Sequence, residues 1–228
     1  MFSLREMRKA FLGTAAVALL AVASSAQASM IIDLRPAGGG SRTINAAPGG
    51  VVNLEVYAIV NGANTTDDEA FTNAFVKLSS TTGGALGNFS AATVAAAFQG
   101  TGFTPGVPTD QDLDTDLDLG GTTNASYLFA RSPTANIQGA RIGLDSEEFL
   151  LGSLTFTLAA NATGQADLFP VKPATGISPP AAFTNDGVAS TAAGYLASGH
   201  LGVTVVVPEP ASIGLAALSA MGLLIRRR

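Results

Sequence analysis

The chain has 228 residues, with no cysteine, no tryptophan and a single histidine. Its 12 basic and 17 acidic residues give a formal net charge of −5. Cysteine catalysis, thiolate metal sites and a disulfide scaffold are excluded, and the lack of basic patches argues against nucleic acid.

Arg5, Arg8 and Lys9 open the chain. An apolar run from Ala10 to Ala23 follows, then the small-x-small sequence Ala26-Gln27-Ala28. This is the layout of a secretory signal peptide, read by signal peptidase. The run has no polar face, which separates it from an amphipathic helix. Cleavage is expected after Ala28, with residues 1–28 forming a signal helix before removal. Residues 29–207 are then one domain's worth, enough for a full core. This body carries 6 basic and 15 acidic residues, a net charge of −9. Such a balance argues against anionic lipid and fits an exported protein or one that collects divalent cations.

Strand signals dominate the body. Met30 to Arg35 is a first candidate. Val52, Leu54, Val56, Ala58 and Val60 then alternate with Asn53, Glu55, Tyr57 and Ile59, a period of two. Ala74 to Ser79, Ser126 to Arg131, Ala166 to Val171 and Leu201 to Val207 are further strands. Leu154, Phe156 and Leu158 alternate with Ser153, Thr155 and Thr157. Gly and Pro clusters such as Pro48-Gly49-Gly50 and Pro179-Pro180 punctuate the gaps. The Ala-rich stretch Ala91 to Gln99 is expected to form a short helix ended by Gly100 and Gly102. Roughly eight short strands predict an all-β protein, an antiparallel β-sandwich.

Three acidic stretches stand out. Asp67-Asp68-Glu69 is expected in a solvated loop or as a helix cap. Asp145, Glu147 and Glu148 precede a strand and could add oxygens to a site. Asp110, Asp112, Asp114, Asp116 and Asp118 occupy every second position of DQDLDTDLDLG. Alternating carboxylates in a turn supply the hard oxygens that calcium takes, so this run is a candidate calcium site. It resembles the Asp-rich loops of EF-hand and dockerin type but departs from them. Counting Asp110 as position one, Thr115 stands where the turn needs Gly, and Gly121 where a bidentate Glu belongs. The competing reading is a solvated loop or edge strand, with all Asp on one face guarding against pairing. Four same-face pairs about 7 Å apart repel by about 2 kcal/mol in water, which does not require a metal.

Residues 42–79 run strand, Pro-Gly-Gly turn, strand, loop, strand. Residues 147–172 read EEFLLGSLTFTLAANATGQADLFPVK. This strand–turn–strand layout is similar to cohesin-type and related carbohydrate-binding sandwich modules, with the jelly-roll-like fold that implies. The likeness bears on fold and not on function. A sugar-binding module would present aromatic platforms. Tyr57, Phe71, Phe75, Phe89, Phe98, Phe103, Tyr127, Phe129 and Tyr195 are the rings to follow. His200 is the one histidine, and no G-x-S-x-G elbow occurs, so no catalytic constellation is legible.

The last 21 residues carry the most specific signal. Pro208-Glu209-Pro210 is followed by 15 uncharged residues, Ala211 to Ile225, and by Arg226, Arg227 and Arg228. A bilayer core wants about 20 apolar residues, so this run is short for a permanent span. The arginines would stay on the cytoplasmic side. The tail resembles the PEP-CTERM sorting signal, whose parts are a Pro-Glu-Pro motif, a transmembrane helix and an arginine cluster. That resemblance implies recognition by an exosortase, a membrane-embedded cysteine transpeptidase, and removal of residues 208–228. The chain would pass through the inner membrane to the cell surface or extracellular polymeric matrix. The expected role is non-enzymatic, structural or adhesive; a module binding extracellular polysaccharide is the alternative.

Overall fold

The computed structural model describes residues 29–62, 68–81, 86–134, 137–171, 173, 181–185, 188–191, 195–197 and 201–209. Ala26, Ala28, Asp67, His200, Pro210, Arg226, Arg227 and Arg228 lie outside the described residues, as do both terminal helices expected from the sequence.

Eighteen strands form among the described residues. The first four are β1 (Ser29–Pro36), β2 (Thr43–Asn45), β3 (Val51–Asn61) and β4 (Ala70–Ser80). Short pieces follow: β5 (Gly87–Phe89), β6 (Thr93–Val94), β7 (Thr104–Pro105), β8 (Pro108–Thr109) and β9 (Asp118–Leu119). Next come β10 (Leu128–Arg131), β11 (Ile137–Gln138) and β12 (Ala140–Arg141). The chain continues through β13 (Ser146–Leu158), β14 (Gly164–Val171), β15 (Ala181–Asn185), β16 (Val188–Thr191), β17 (Tyr195–Ala197) and β18 (Val203–Val207).

Two sheets face each other. One runs β12-β13-β3-β1-β17, with β5 and β6 on β13. The other runs β16-β15-β4-β14-β18-β2, with β9, β10 and β11 also on β4. Nearly all pairs are antiparallel; β1–β17 and β2–β18 are parallel. The core lies between the sheets because each long strand keeps a period of two. Val52, Leu54, Val56, Ala58 and Val60 of β3 point inward, as do Leu78 of β4 and Leu168 of β14. Each such side chain removed from water contributes about 1.5–3 kcal/mol. This is the all-β sandwich that the alternation predicts.

Strand β13 needs a correction of phase to do this. Phe149 and Leu151 are buried at odd positions, but Leu154, Phe156 and Leu158 at even ones. A bulge between Leu150 and Gly152 absorbs the extra residue, so both halves face the core. Gly152 is required there: a Cβ would lie 2.6 Å from the Thr93 carbonyl oxygen of β6.

The helix expected over Ala91 to Gln99 does not form. Backbone pairing to β13 captures it instead, with Val94 opposite Gly152 and the Ala95 N–H donating to Leu151 O at 2.9 Å. Only a 3-10 turn, Ala96–Phe98, remains helical. It drives Phe98 into the core, edge-on to Phe71 at 5.0 Å. Tertiary pairing and one aromatic anchor outweigh the helix propensity of alanine. No helix among the described residues is long and apolar enough to cross a membrane.

Candidate functional site

Strands β8 and β9 pair with each other, Thr109 opposite Asp118, and β9 pairs with β4 through Leu119 and Leu78. The segment between them, residues 110–117, is therefore the tip of a hairpin laid against the end of β4. It is neither an edge strand nor a fully solvated loop. Leu113 and Thr115 hold φ of 66° and 81°, the left-handed region, which breaks any extended alternation. The Asp110 carboxylate stabilises this turn by accepting from the N–H of Leu113 at 2.8 Å and of Thr115 at 3.3 Å. Thr115 thus adopts the backbone for which calcium loops ordinarily use glycine.

The five carboxylates divide by depth. Asp112 is exposed and Asp110 and Asp114 are half-buried, while Asp116 and Asp118 are each 1% exposed. Asp110, Asp112 and Asp114 can bring one oxygen each within 4.8 Å of one another, and so can Asp112, Asp116 and Asp118. The run predicted from sequence is therefore one cluster, with Asp112 common to both triads.

Residues with no sequence signal hold the cluster in place. The Ser80 hydroxyl donates to Asp116 Oδ2, and the Ser80 N–H to Asp118 Oδ1 at 3.1 Å. Asn88 Oδ1 accepts from the Leu117 N–H at 2.8 Å, and the Phe89 N–H donates to Leu117 O at 2.8 Å. Ser80 belongs to one sheet and Asn88 to the other, so the loop fastens the two at this end. Asp118 Oδ2 is buried and receives no hydrogen bond. Burial pushes the Asp118 carboxyl up to about 6; Asp112 adds to the rise, and Lys77 and the Ser80 N–H oppose it. The Asp116 carboxyl also rises to about 6, by burial first and then by Asp114 and Asp118, against the Ser80 hydroxyl. Desolvated anions crowded in this way favour a positive charge among them. An open groove of about 430 Å³, bordered by Lys77, Asp110, Gln111 and Tyr127, gives solvent a path to the cluster.

The aromatic rings are mostly committed elsewhere. Phe71, Phe89, Phe98 and Tyr127 are buried. Phe75 and Phe129 sit opposite each other on β4 and β10 and stack at 4.1 Å, so each spends one face on the other. Arg35 covers Tyr57, with its guanidinium carbon 4.3 Å from the ring centroid. Phe103 is 41% exposed. The side chain of Tyr195 lies outside the described residues. This arrangement weakens the sugar-platform reading, which needs free ring faces.

Of the tail motif, Pro208 and Glu209 are described, both exposed and directly after β18. Residues 206–228 match the PEP-CTERM protein-sorting motif. The three parts read from the sequence fall inside this match, and the motif marks the chain for export and sorting to the cell surface.

Among solved structures, the chain is similar to the seventh ScaB type I cohesin from Pseudobacteroides cellulosolvens. That match has 14% identity and a TM-score of 0.39, covering 80% of this chain and 95% of that one. A type III cohesin module from the cellulosomal ScaE cell-surface anchoring scaffoldin of Ruminococcus flavefaciens is also similar. There the identity is 14% and the TM-score 0.39, over 82% of this chain and 92% of that one. The sixth cohesin of scaffoldin B from Acetivibrio cellulolyticus, in complex with a Cel5 dockerin mutant, matches at 14% identity and a TM-score of 0.32. It covers 79% of this chain and 98% of that one. No curated protein sequence matches the chain.

Proposed function

We propose that this chain is a non-enzymatic exported protein that an exosortase sorts to the cell surface or extracellular polymeric matrix. Its sandwich acts there as a structural or adhesive body, and calcium at the Asp110–Asp118 loop stabilises it. The observation that carries the sorting reading is the motif over residues 206–228, which begins within the last strand. The non-enzymatic reading is supported by the character of the cluster. Its polar side chains are carboxylates gathered around one another, the donor set of a hard cation.

Replacing Glu209 with Ala, or deleting Arg226 to Arg228, should accumulate a longer, membrane-associated form on immunoblots. Normal processing of both variants would overturn the sorting reading. The calcium reading predicts that the melting temperature rises with millimolar calcium chloride and that Asp112→Asn/Asp116→Asn removes most of the rise. A wild-type melting temperature that calcium leaves unmoved refutes it.

A further inference from the structure

The fold neutralises most of its buried acids with its own donors. Asp33, 1% exposed, accepts from Arg35 Nε at 2.6 Å and from Arg42 Nη2 at 2.8 Å. Buried Glu147 accepts from the Gly139 N–H at 2.6 Å. Glu69 is the exception. Expected in a solvated loop or as a helix cap, it is fully buried at the entry to strand β4, and among the described residues no N–H or hydroxyl of another residue donates to its carboxylate oxygens. Asp68 Oδ1 and Asp145 Oδ1 are likewise buried without a donor. Among the described residues no arginine or lysine forms an ion pair with any of the three.

Sheet register brings Asp145 and Glu69 together. Ser146 pairs with Asn61 at the end of β3, and its hydroxyl donates to Asn61 Oδ1 at 2.7 Å. The Gly62 N–H donates to Asp145 O at 2.9 Å, which holds Asp145 across from Gly62. Arg141 donates to Gly143 O and Leu144 O and so shapes the turn that delivers Asp145. Glu69 arrives from the opposite sheet. A Cβ on Gly62 would lie 2.2 Å from Asp145 Oδ1 and 2.2 Å from Glu69 Oε1, so the two oxygens converge where only glycine leaves room.

Two carboxylates whose buried oxygens converge without a donor from a neighbouring residue are costly as bare anions. Burial raises the Glu69 carboxyl above the ordinary range, against its own backbone N–H, and Asp145 and Asp68 add to the rise. One remedy is a proton shared between Glu69 and Asp145. That leaves the second Glu69 oxygen with no donor from another residue. A cation between the converging oxygens satisfies both carboxylates together.

We propose that Glu69 and Asp145 form a second calcium site, at the opposite end of strand β4 from the Asp loop. Every donor is a hard carboxylate oxygen, which suits calcium and not zinc or copper. Calcium completes its six to eight ligands with carbonyls and water, and extracellular modules bind it with dissociation constants of about 0.1–1 mM. The inference does not rest on the Asp loop binding calcium.

The test is equilibrium dialysis of the full-length protein, in detergent micelles, against calcium chloride. The wild type should bind two calcium ions per chain. Asp112→Asn/Asp116→Asn should retain one, and Glu69→Gln added to that background should retain none. Asp145→Asn alone should retain one, which covers the case in which the Glu69 variant fails to fold. Loss of all calcium from the loop variant, folded by circular dichroism, would overturn the second site. So would wild-type stoichiometry in both Glu69→Gln and Asp145→Asn, the result a shared proton gives. If the loop alone does not bind, the wild type binds one ion and Glu69→Gln binds none, which separates the two readings.

Discussion

Strand β4 has an acidic cluster at each end, and the two are built in opposite ways. At its C-terminal end, Asp116 and Asp118 receive the hydroxyl and N–H of Ser80, and all five carboxylates come from one short stretch of chain. At its N-terminal end, Glu69 meets Asp145, which comes from a turn far along the chain and from the other sheet, and among the described residues no other N–H or hydroxyl donates to Glu69. Eleven strand residues separate the ends, roughly 35 Å. One cluster is partly satisfied by donors of the fold; at the other, Glu69 takes no donor from another described residue. Local sequence can build an acidic site with internal hydrogen bonds, whereas a site made by register inherits whatever the strands bring together.

Removing calcium from the wild type should have the largest effect, because it acts on both ends. At a calcium concentration 100-fold above the dissociation constant each site contributes about 2.7 kcal/mol. Chelation should then lower the melting temperature by roughly 10–20 °C for a body of this size. A drop of half that size would mean that only one end responds, which would break the symmetry proposed for β4.

A smaller effect is expected from Gly62→Ala. Its Cβ would strike both Asp145 and Glu69, so the two acids must part. We expect a loss of about 1–3 kcal/mol in calcium, as for other overpacked sites. The calcium response of the Asp loop should persist, as measured by thermal melts with and without chelator. Thr115→Gly should act least, and only at the other end. It relieves a left-handed β-branched residue, for a net gain of up to about 1 kcal/mol in denaturant titrations. Loss of stability there would show that Thr115 makes contacts worth more than its backbone strain.

The long strands were legible because period two is a local signal. β1, β3, β4, β14 and β18 fall where Met30 to Arg35, Val52 to Val60, Ala74 to Ser79, Ala166 to Val171 and Leu201 to Val207 were read. The two-residue strands β6 to β9 were not, since two residues have no period. In β13 only the half from Leu154 to Leu158 could be read, because the bulge at Leu150 reverses the phase upstream. The Asp run was visible as a cluster, but not its depth: burial of Asp116 and Asp118 depends on Ser80 and Asn88, which carry no pattern. Glu69 was misread as solvated because nothing local distinguishes a buried acid from an exposed one.

The match to the sorting motif begins at residue 206, while β18 runs to Val207 and buries Val205 and Val207 in the core. The sandwich therefore has no leash. Glu209 stands two residues beyond a hydrogen-bonded strand, a reach of about 7 Å. Any enzyme that cuts there must work against the wall of a folded body, and the body in turn cannot swing away from it. Val206 and Val207 belong to both the strand and the matched motif, so a substitution that frays the last strand would also change how the cutting site is presented.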